Sequence, residues 1–265
     1  METKDILSRY YENYDEDGRL RSRSGMVEFI TTMRYIEKYL RPGMRILEVG
    51  AATGRYSHTL ARRGHQVDAV ELVEHHIDLF RKNTAAGEKV TITQGNAMDL
   101  SGFKSDSYDV TLLLGPMYHL FAEADKRKAL SEAIRVTKKG GIVFVAYCMG
   151  DASVLGYGFA KGRIHELMEK CMLDPETFDT FSKPWDLFEL VRKEDIDRLR
   201  SNFNVTQLHF VASDGYTNHM RDVVNQMDDR TYELFVKYHL ATCERLDMIG
   251  YSHHAIDIFR KDGTQ

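Results

Sequence analysis

The segment EVGAATGRYS, residues 48–57, follows the apolar run MRILEV and opens onto a helix-like stretch. A strand that runs into a tight glycine turn and then a helix brings backbone N–H groups up to a nucleotide. A dinucleotide loop needs glycine at its first, third and sixth positions. Counted from Gly50, those positions hold Gly50, Ala52 and Arg55, so two of three fail and a nicotinamide or flavin reading is weak. What remains is an acid, Glu48, two residues before Gly50, with Gly54 four residues beyond it.

Outward from this turn, strands and helices alternate. Apolar patterning predicts strands at 45–50, 66–72, 89–94, 108–114, 141–147, 204–211 and 254–260. Helices are predicted at 54–63, 74–83, 122–138 and 193–202, and a further helix between Met26 and Leu40 is stopped by Pro42. The near-continuous apolar strands VTLLL and GIVFVAY imply a parallel sheet covered on both faces. The rhythm breaks at 148–192 and again at 213–250, where a helical segment is expected at about 216–249. The expectation is one α/β domain, 1–265, with an N-terminal arm at 1–24, a cap insertion at 148–192 and a second helical insertion at 213–250. Both insertions are expected over the carboxyl edge of the sheet, where open α/β folds bind ligands.

Composition narrows the function classes. The 265 residues carry a net charge of −4, which argues against a nucleic-acid partner. Cys148, Cys171 and Cys243 are far apart with no C-x-x-C pair, so a reducing cytoplasm is the simplest home. No apolar run approaches the ~20 residues of a membrane span, and the acidic N-terminus is not a signal peptide.

Acidic-x-G-x-G-x-G at the end of a first strand is the pattern of class I methyltransferases that use S-adenosylmethionine, and EVGAATG resembles it with Ala52 for the middle glycine. One methyl group at Ala52 forbids nothing if φ there is negative. Glu71 ends the second strand, 21 residues past Gly50, where a carboxylate can accept from ribose hydroxyls. QGNAMDL ends the third strand, with Asn96 in place of the usual acid; its amide oxygen can accept from an adenine amino group. Over roughly 45–147 the chain is similar to the small-molecule bacterial group that includes the ubiquinone and menaquinone methyltransferases. That resemblance implies a Rossmann-like, doubly wound, mostly parallel seven-stranded sheet. It implies cofactor contacts from Glu48, Gly50, Ala51, Ala52, Thr53 and Gly54, from Glu71 and Leu72, from Asn96, Ala97 and Met98, and from Leu114. It also implies an N-terminal arm that closes over the cofactor, with Tyr14 and Arg19 reaching the methionine carboxylate or the substrate; a solvated arm is the alternative.

The fourth strand would face the reactive sulfonium, and it ends in GPMYHL. This resembles the (Asp/Asn)-Pro-Pro-(Tyr/Phe) loop of amino-methylating enzymes, but Gly115 removes the group that grips an amine and Met117 replaces the second proline. His119 is the candidate general base, because an unperturbed imidazole titrates near neutrality. Tyr118 is the candidate orienting residue. No metal site is expected, since the paired histidines His75-His76 and His253-His254 lack a metal-binding motif. Phe178, Phe181, Trp185 and Phe188 in the first insertion suggest an aromatic lid or the insertion's own core. The expected partner is a small-molecule methyl acceptor, handled by a monomer or homodimer. Methylation of RNA or protein, and binding of the cofactor without turnover, stay open.

Overall fold

The strand segments are apolar on both faces, so a stable arrangement covers the sheet from both sides. The computed structural model describes residues 3–12, 14 and 16–263. Its strands are β1 (Arg45–Val49), β2 (Gln66–Glu71), β3 (Val90–Gln94), β4 (Tyr108–Leu113), β5 (Thr137–Met149), β6 (Leu190–Val191), β7 (Val205–Ala212) and β8 (His254–Lys261). They run in the order β3-β2-β1-β4-β5-β8-β7, with the two-residue β6 paired to β5 off that path. Every pairing is parallel except those of β8 with β5 and with β7. The expected seven-stranded, mostly parallel, Rossmann-like sheet is present, and β6 adds a short eighth strand.

Among the described residues, three helices precede the sheet: α1 (Thr3–Tyr11), α2 (Glu16–Arg19) and α3 (Arg23–Tyr39). Next, α4 (Arg55–Arg62), α5 (Glu74–Asn83) and α6 (Glu123–Val136) serve the parallel crossovers. Between β5 and β6 lie α7 (Gly150–Ser153) and α8 (Ile164–Glu169), and α9 (Lys193–Arg200) leads into β7. The segment between β7 and β8 holds α10 (Arg221–Gln226), α11 (Asp229–Thr242) and α12 (Leu246–Ile249). The helical segment expected at about 216–249 is built from these separate helices. Asp228 accepts from the Thr231 N–H, an N-cap that starts the chain afresh as α11.

Strand residues alternate between two apolar layers. Ile46, Val110, Leu112 and Phe144 pack with Phe29, Met33 and Ile36 of α3 and Leu60 of α4. Leu47, Val49, Leu113 and Val143 pack with Leu130 and Ala133 of α6 and Ile196 of α9. Ile36, Leu47 and Leu112 are fully buried, each contributing roughly 1.5–3 kcal/mol by transfer from water.

The antiparallel strand has a consequence for the site. Parallel strands all end at one edge, whereas β8 begins there: His254 pairs with Cys148 near the end of β5. The end of β7 lies beside it, Ala212 against Ala255, so the segment that follows β7 emerges at the same edge. Among the described residues, no helix is long and apolar enough to cross a membrane.

Candidate functional site

The strand order reverses between β1 and β4, and in open α/β sheets ligands bind at that crevice. A cavity of about 720 Å³ lies there, within the size range of small-molecule sites. Glu48, Gly50, Ala51, Ala52 and Thr53 line it from the β1 turn, and Glu71 and Leu72 from β2. Asn96, Ala97 and Met98 follow β3, and Leu114, Tyr118 and His119 follow β4. Arg19 also lines it. Gly54 does not. It occupies the N-cap of α4 at φ +89°, and the side chains of His58 and Phe80 fill the space its Cβ would take. Tyr14 lines a neighbouring cavity instead.

The turn corrects one expectation. Ala52 has φ +45°, in the left-handed region, so its methyl group carries a conformational cost that a negative φ would have spared. What holds it there is Glu71, whose carboxylate accepts from the Ala52 N–H at 2.8 Å. The same carboxylate accepts from the Leu72 and Val73 amides at 2.8 and 2.9 Å. Three of its roughly four acceptor positions are thus occupied, leaving one where both ribose hydroxyls were expected to bind. Burial raises the Glu71 pKa, but His76, with Nδ1 3.8 Å from the carboxylate, and the hydrogen bonds from the amides outweigh it and the net shift is downward.

Glu48 is different. It is 2% exposed and accepts one side-chain hydrogen bond, from the Ser57 hydroxyl. Burial pushes its carboxyl up to about 8, with the Glu71 charge adding to the rise and the Ser57 hydrogen bonds opposing it. The cavity therefore pairs an ionised carboxylate with one that is mostly protonated near neutrality. Asn96 accepts from the Met98 N–H through its side-chain oxygen at 2.9 Å, which fixes the adjoining turn. Gly50, at φ +80°, lets Pro116 close on the turn; a Cβ there would lie 2.6 Å from Pro116 Cδ.

At the end of β4, Gly115 adopts φ +144°, a conformation open to glycine. That explains the departure from an acid or amide at this position. His119 is held through both ring nitrogens. Its Nδ1–H donates to the Leu187 carbonyl at 2.9 Å, so Nε2 is the acceptor for the Tyr11 hydroxyl at 3.1 Å. Burial lowers its pKa to about 4, with His76 adding to the fall and the Leu187 carbonyl and the Glu71 charge opposing it. The ground for choosing it as a base, a pKa near neutrality, is corrected: it is a neutral, weakly basic ring whose lone pair is already engaged.

Among the lining residues that carried no assignment in the sequence are Tyr11 and His76. Tyr11 comes from α1 and packs its ring 4.7 Å from that of His76. His76 is buried against the cavity while its neighbour His75 is exposed, as adjacent helical positions require. His76 Nε2 is buried with no hydrogen-bond partner among the described residues. The tyrosine density of the arm was the available signal for Tyr11; nothing in the sequence distinguished His76 from His75. Of the four aromatics in the first insertion, Phe188 alone lines either cavity, while Phe181 and Trp185 are 50% and 71% exposed.

A second cavity of about 300 Å³ adjoins the first and shares Tyr11, Arg19 and Tyr118 with it. Asp214, His253 and His254 bring potential metal-ligand atoms within 4.8 Å of one another at its edge.

Comparison with known proteins gives a consistent picture. Residues 46–141 match a family described as a methyltransferase domain. The demethylmenaquinone methyltransferase of Clavibacter sepedonicus is 36% identical over 104 residues, covering 39% of this chain and 40% of that protein. The ubiquinone biosynthesis O-methyltransferase of Hahella chejuensis is 24% identical over 162 residues, 61% of this chain and 66% of that protein. The match to the Clavibacter protein thus spans about two-fifths of its length. Among solved structures, the CcbJ methyltransferase of Streptomyces caelestis aligns at TM-score 0.60 with 14% identity, covering 98% of each chain. A SAM-dependent methyltransferase from Methanosarcina mazei aligns at 0.57 with 18% identity, covering 87% of this chain and 98% of that one.

Proposed function

We propose, for a chain whose residues 46–141 match a methyltransferase domain family and whose fold is that of S-adenosylmethionine-dependent methyltransferases, that it transfers a methyl group from S-adenosylmethionine to a small-molecule acceptor. The observation that carries the proposal is the cavity at the β1–β4 switch point, where Glu48, Glu71 and Asn96 meet around one glycine turn.

The residues present fit this cofactor. Two carboxylates suit a ligand with an ammonium group and hydroxyls, Asn96 offers an amide to a base edge, and Leu72, Met98 and Leu114 offer apolar surface. His76 Nε2, buried without a partner among the described residues, supplies a polar atom for a ligand to meet. When bound, S-adenosylmethionine supplies an electrophilic methyl group on sulfur. The chain's part is alignment and exclusion of water. Glu71 holds the turn and offers its remaining lone pair to a ribose hydroxyl. Glu48 would meet the ammonium group. Leu7 and Tyr11 of α1 cover the cavity, with Tyr11 hydrogen-bonded to His119. The named relatives that act in quinone biosynthesis support a small organic acceptor over RNA or protein.

Calorimetric titration with S-adenosylmethionine, S-adenosylhomocysteine and a nicotinamide dinucleotide tests the cofactor. The first two bind and the third does not; absence of S-adenosylmethionine binding refutes the proposal. Glu71→Ala weakens binding at least tenfold, because it removes both a ribose contact and the anchor of the Ala52 amide, each a hydrogen bond to charge of roughly 1.5–3 kcal/mol. Labelled methyl transfer into a metabolite extract separates an enzyme from a protein that binds without turnover.

A further inference from the structure

The second cavity has walls of flat rings and a charged floor. Tyr10 and Tyr14 stack with centroids 5.2 Å apart, Phe188 meets Tyr10 edge-on at 6.2 Å, and Tyr118 lies 6.0 Å from Phe188. At the floor, the Asp214 carboxylate is fully engaged. Its Oδ1 accepts from the Ser252 hydroxyl at 2.7 Å and from the His253 and His254 amides at 2.9 and 3.0 Å. Its Oδ2 accepts from His254 Nδ1 at 2.9 Å. Glu28 accepts from Arg19 at 2.7 Å.

These contacts decide what the cavity can recognise. Both carboxylates face cations of the protein, so neither is placed to hold an ammonium group of a ligand. A metal ion would have to break the contact between Asp214 and His254. His254 is the exception. Asp214 fixes Nδ1 as its donor nitrogen, and Nε2 takes no hydrogen bond from any described residue in a ring that lines the cavity. A ring with one nitrogen tied to a buried carboxylate and the other left to a ligand can hold an oxygen of that ligand by a charge-assisted hydrogen bond.

Resting on the reading of the first cavity as the cofactor site, we propose that the second cavity is the acceptor site and that His254 Nε2 holds the reacting oxygen of a hydroxyl group borne on an aromatic ring. His254 already carries its second proton, so its Nε2–H donates to the oxygen, which is held as the phenolate after its own proton has passed to solvent. The oxygen's electron pair forms the new O–C bond, the C–S bond breaks with its pair left on sulfur, and the products are a methyl ether and S-adenosylhomocysteine. His254 is then a catalytic residue, and Asp214 is a positioning residue that acts through it. The groups facing His254 hold its charge in place: burial opposes it, but Glu28 on α3, Cys148 on β5 and Asp214 after β7 outweigh burial and raise the imidazole pKa well above its ordinary value. His253 beside it is held neutral, with its own pKa lowered to about 4 by burial and by the His254 charge. The rings of Tyr10, Tyr14, Tyr118 and Phe188 supply stacking surface for a planar acceptor.

The test uses the full chain with ¹⁵N-labelled histidine, saturated with S-adenosylhomocysteine. It is titrated separately with p-cresol, 4-methylanisole and 4-methylbenzylamine while the imidazole nitrogens are followed by NMR. The phenol shifts His254 Nε2 strongly, the ether and the amine do not, and His119 stays unmoved. His254→Gln weakens p-cresol binding about tenfold or more, the loss of one charge-assisted hydrogen bond, with S-adenosylhomocysteine affinity within about twofold of the parent. Asp214→Asn changes the Nδ1 resonance of His254 and lowers its titration midpoint, which a purely structural role would not do. Equal response to the three probes, preference for the amine, or a His254 resonance untouched by p-cresol overturns the proposal. If a variant fails to fold, the three titrations of the unsubstituted protein still decide between these outcomes. Failure of S-adenosylhomocysteine to bind strikes the cofactor reading instead, and the p-cresol titration is then judged on the ligand-free protein.

Discussion

Glu48 offers a prediction that separates a cofactor contact from a mere structural acid. Its carboxyl is pushed up to about 8 by burial, so at pH 7 about one molecule in ten carries the charge. A ligand ammonium favours the ionised form, and binding therefore expels the proton. Observed affinity for S-adenosylmethionine rises by nearly tenfold per pH unit below about pH 7 and flattens toward pH 8. It turns over above that, because the ligand's own α-amino group deprotonates near 7.7–8.0. Calorimetry at pH 7 in two buffers of different ionisation enthalpy reads the proton count. About 0.8 protons are released on binding, the ~0.9 from Glu48 less ~0.1 taken up by the ligand amine. In Glu48→Gln the release vanishes. A binding enthalpy independent of buffer in the parent protein, or the same proton count in the variant, refutes the argument. The ligand-free protein carries the complementary signature. A raised carboxyl pKa stabilises the fold fully below the unfolded value of 4.5, and that contribution disappears as pH climbs through 8, at about 1.4 kcal/mol per unit. Glu48→Gln therefore gains stability relative to the parent as pH rises.

Three further outcomes follow from the geometry. Ala52→Gly relieves a left-handed strain of roughly 1–2 kcal/mol and loses roughly 0.4–1 kcal/mol through the freer unfolded chain, so the net gain is about 0.8 kcal/mol, or a Tm about 2–3 °C higher by calorimetry. A lower Tm would show that the alanine methyl makes packing contacts that outweigh its strain. Gly50→Ala places a Cβ 2.6 Å from Pro116 Cδ at φ +80° and costs at least about 1–2 kcal/mol in denaturant unfolding; a neutral result would mean that the Pro116 turn moves freely. His119 has a folded pKa lowered to about 4 by burial, so its contribution is present above the unfolded 6.5 and is lost as pH falls toward 4. His119→Asn flattens the acid limb of the stability profile over that window, and an unchanged limb assigns the loss to other groups.

The sequence carried the sheet because parallel strands buried on both faces cannot hide their apolar runs, and because the glycine turn, Glu71 and Asn96 fall at intervals that strand and helix lengths enforce. It did not carry φ at Ala52. That angle follows from a hydrogen bond to a carboxylate 19 residues away, a long-range contact with no local pattern. The same limit governs His119. Its chemistry looked catalytic when judged by an unperturbed imidazole, yet Tyr11 and Leu187, 108 and 68 residues away, occupy both of its nitrogens. His254 presents the converse case. In the sequence it is one half of a histidine pair at the start of a late strand, and only the antiparallel insertion of β8 brings that start to the edge where the parallel strands end. Residue type and spacing therefore locate a cofactor turn, whose parts lie on consecutive strands. They do not rank histidines, because an imidazole's chemistry is set by which carboxylate, carbonyl or hydroxyl the fold brings to each of its two nitrogens.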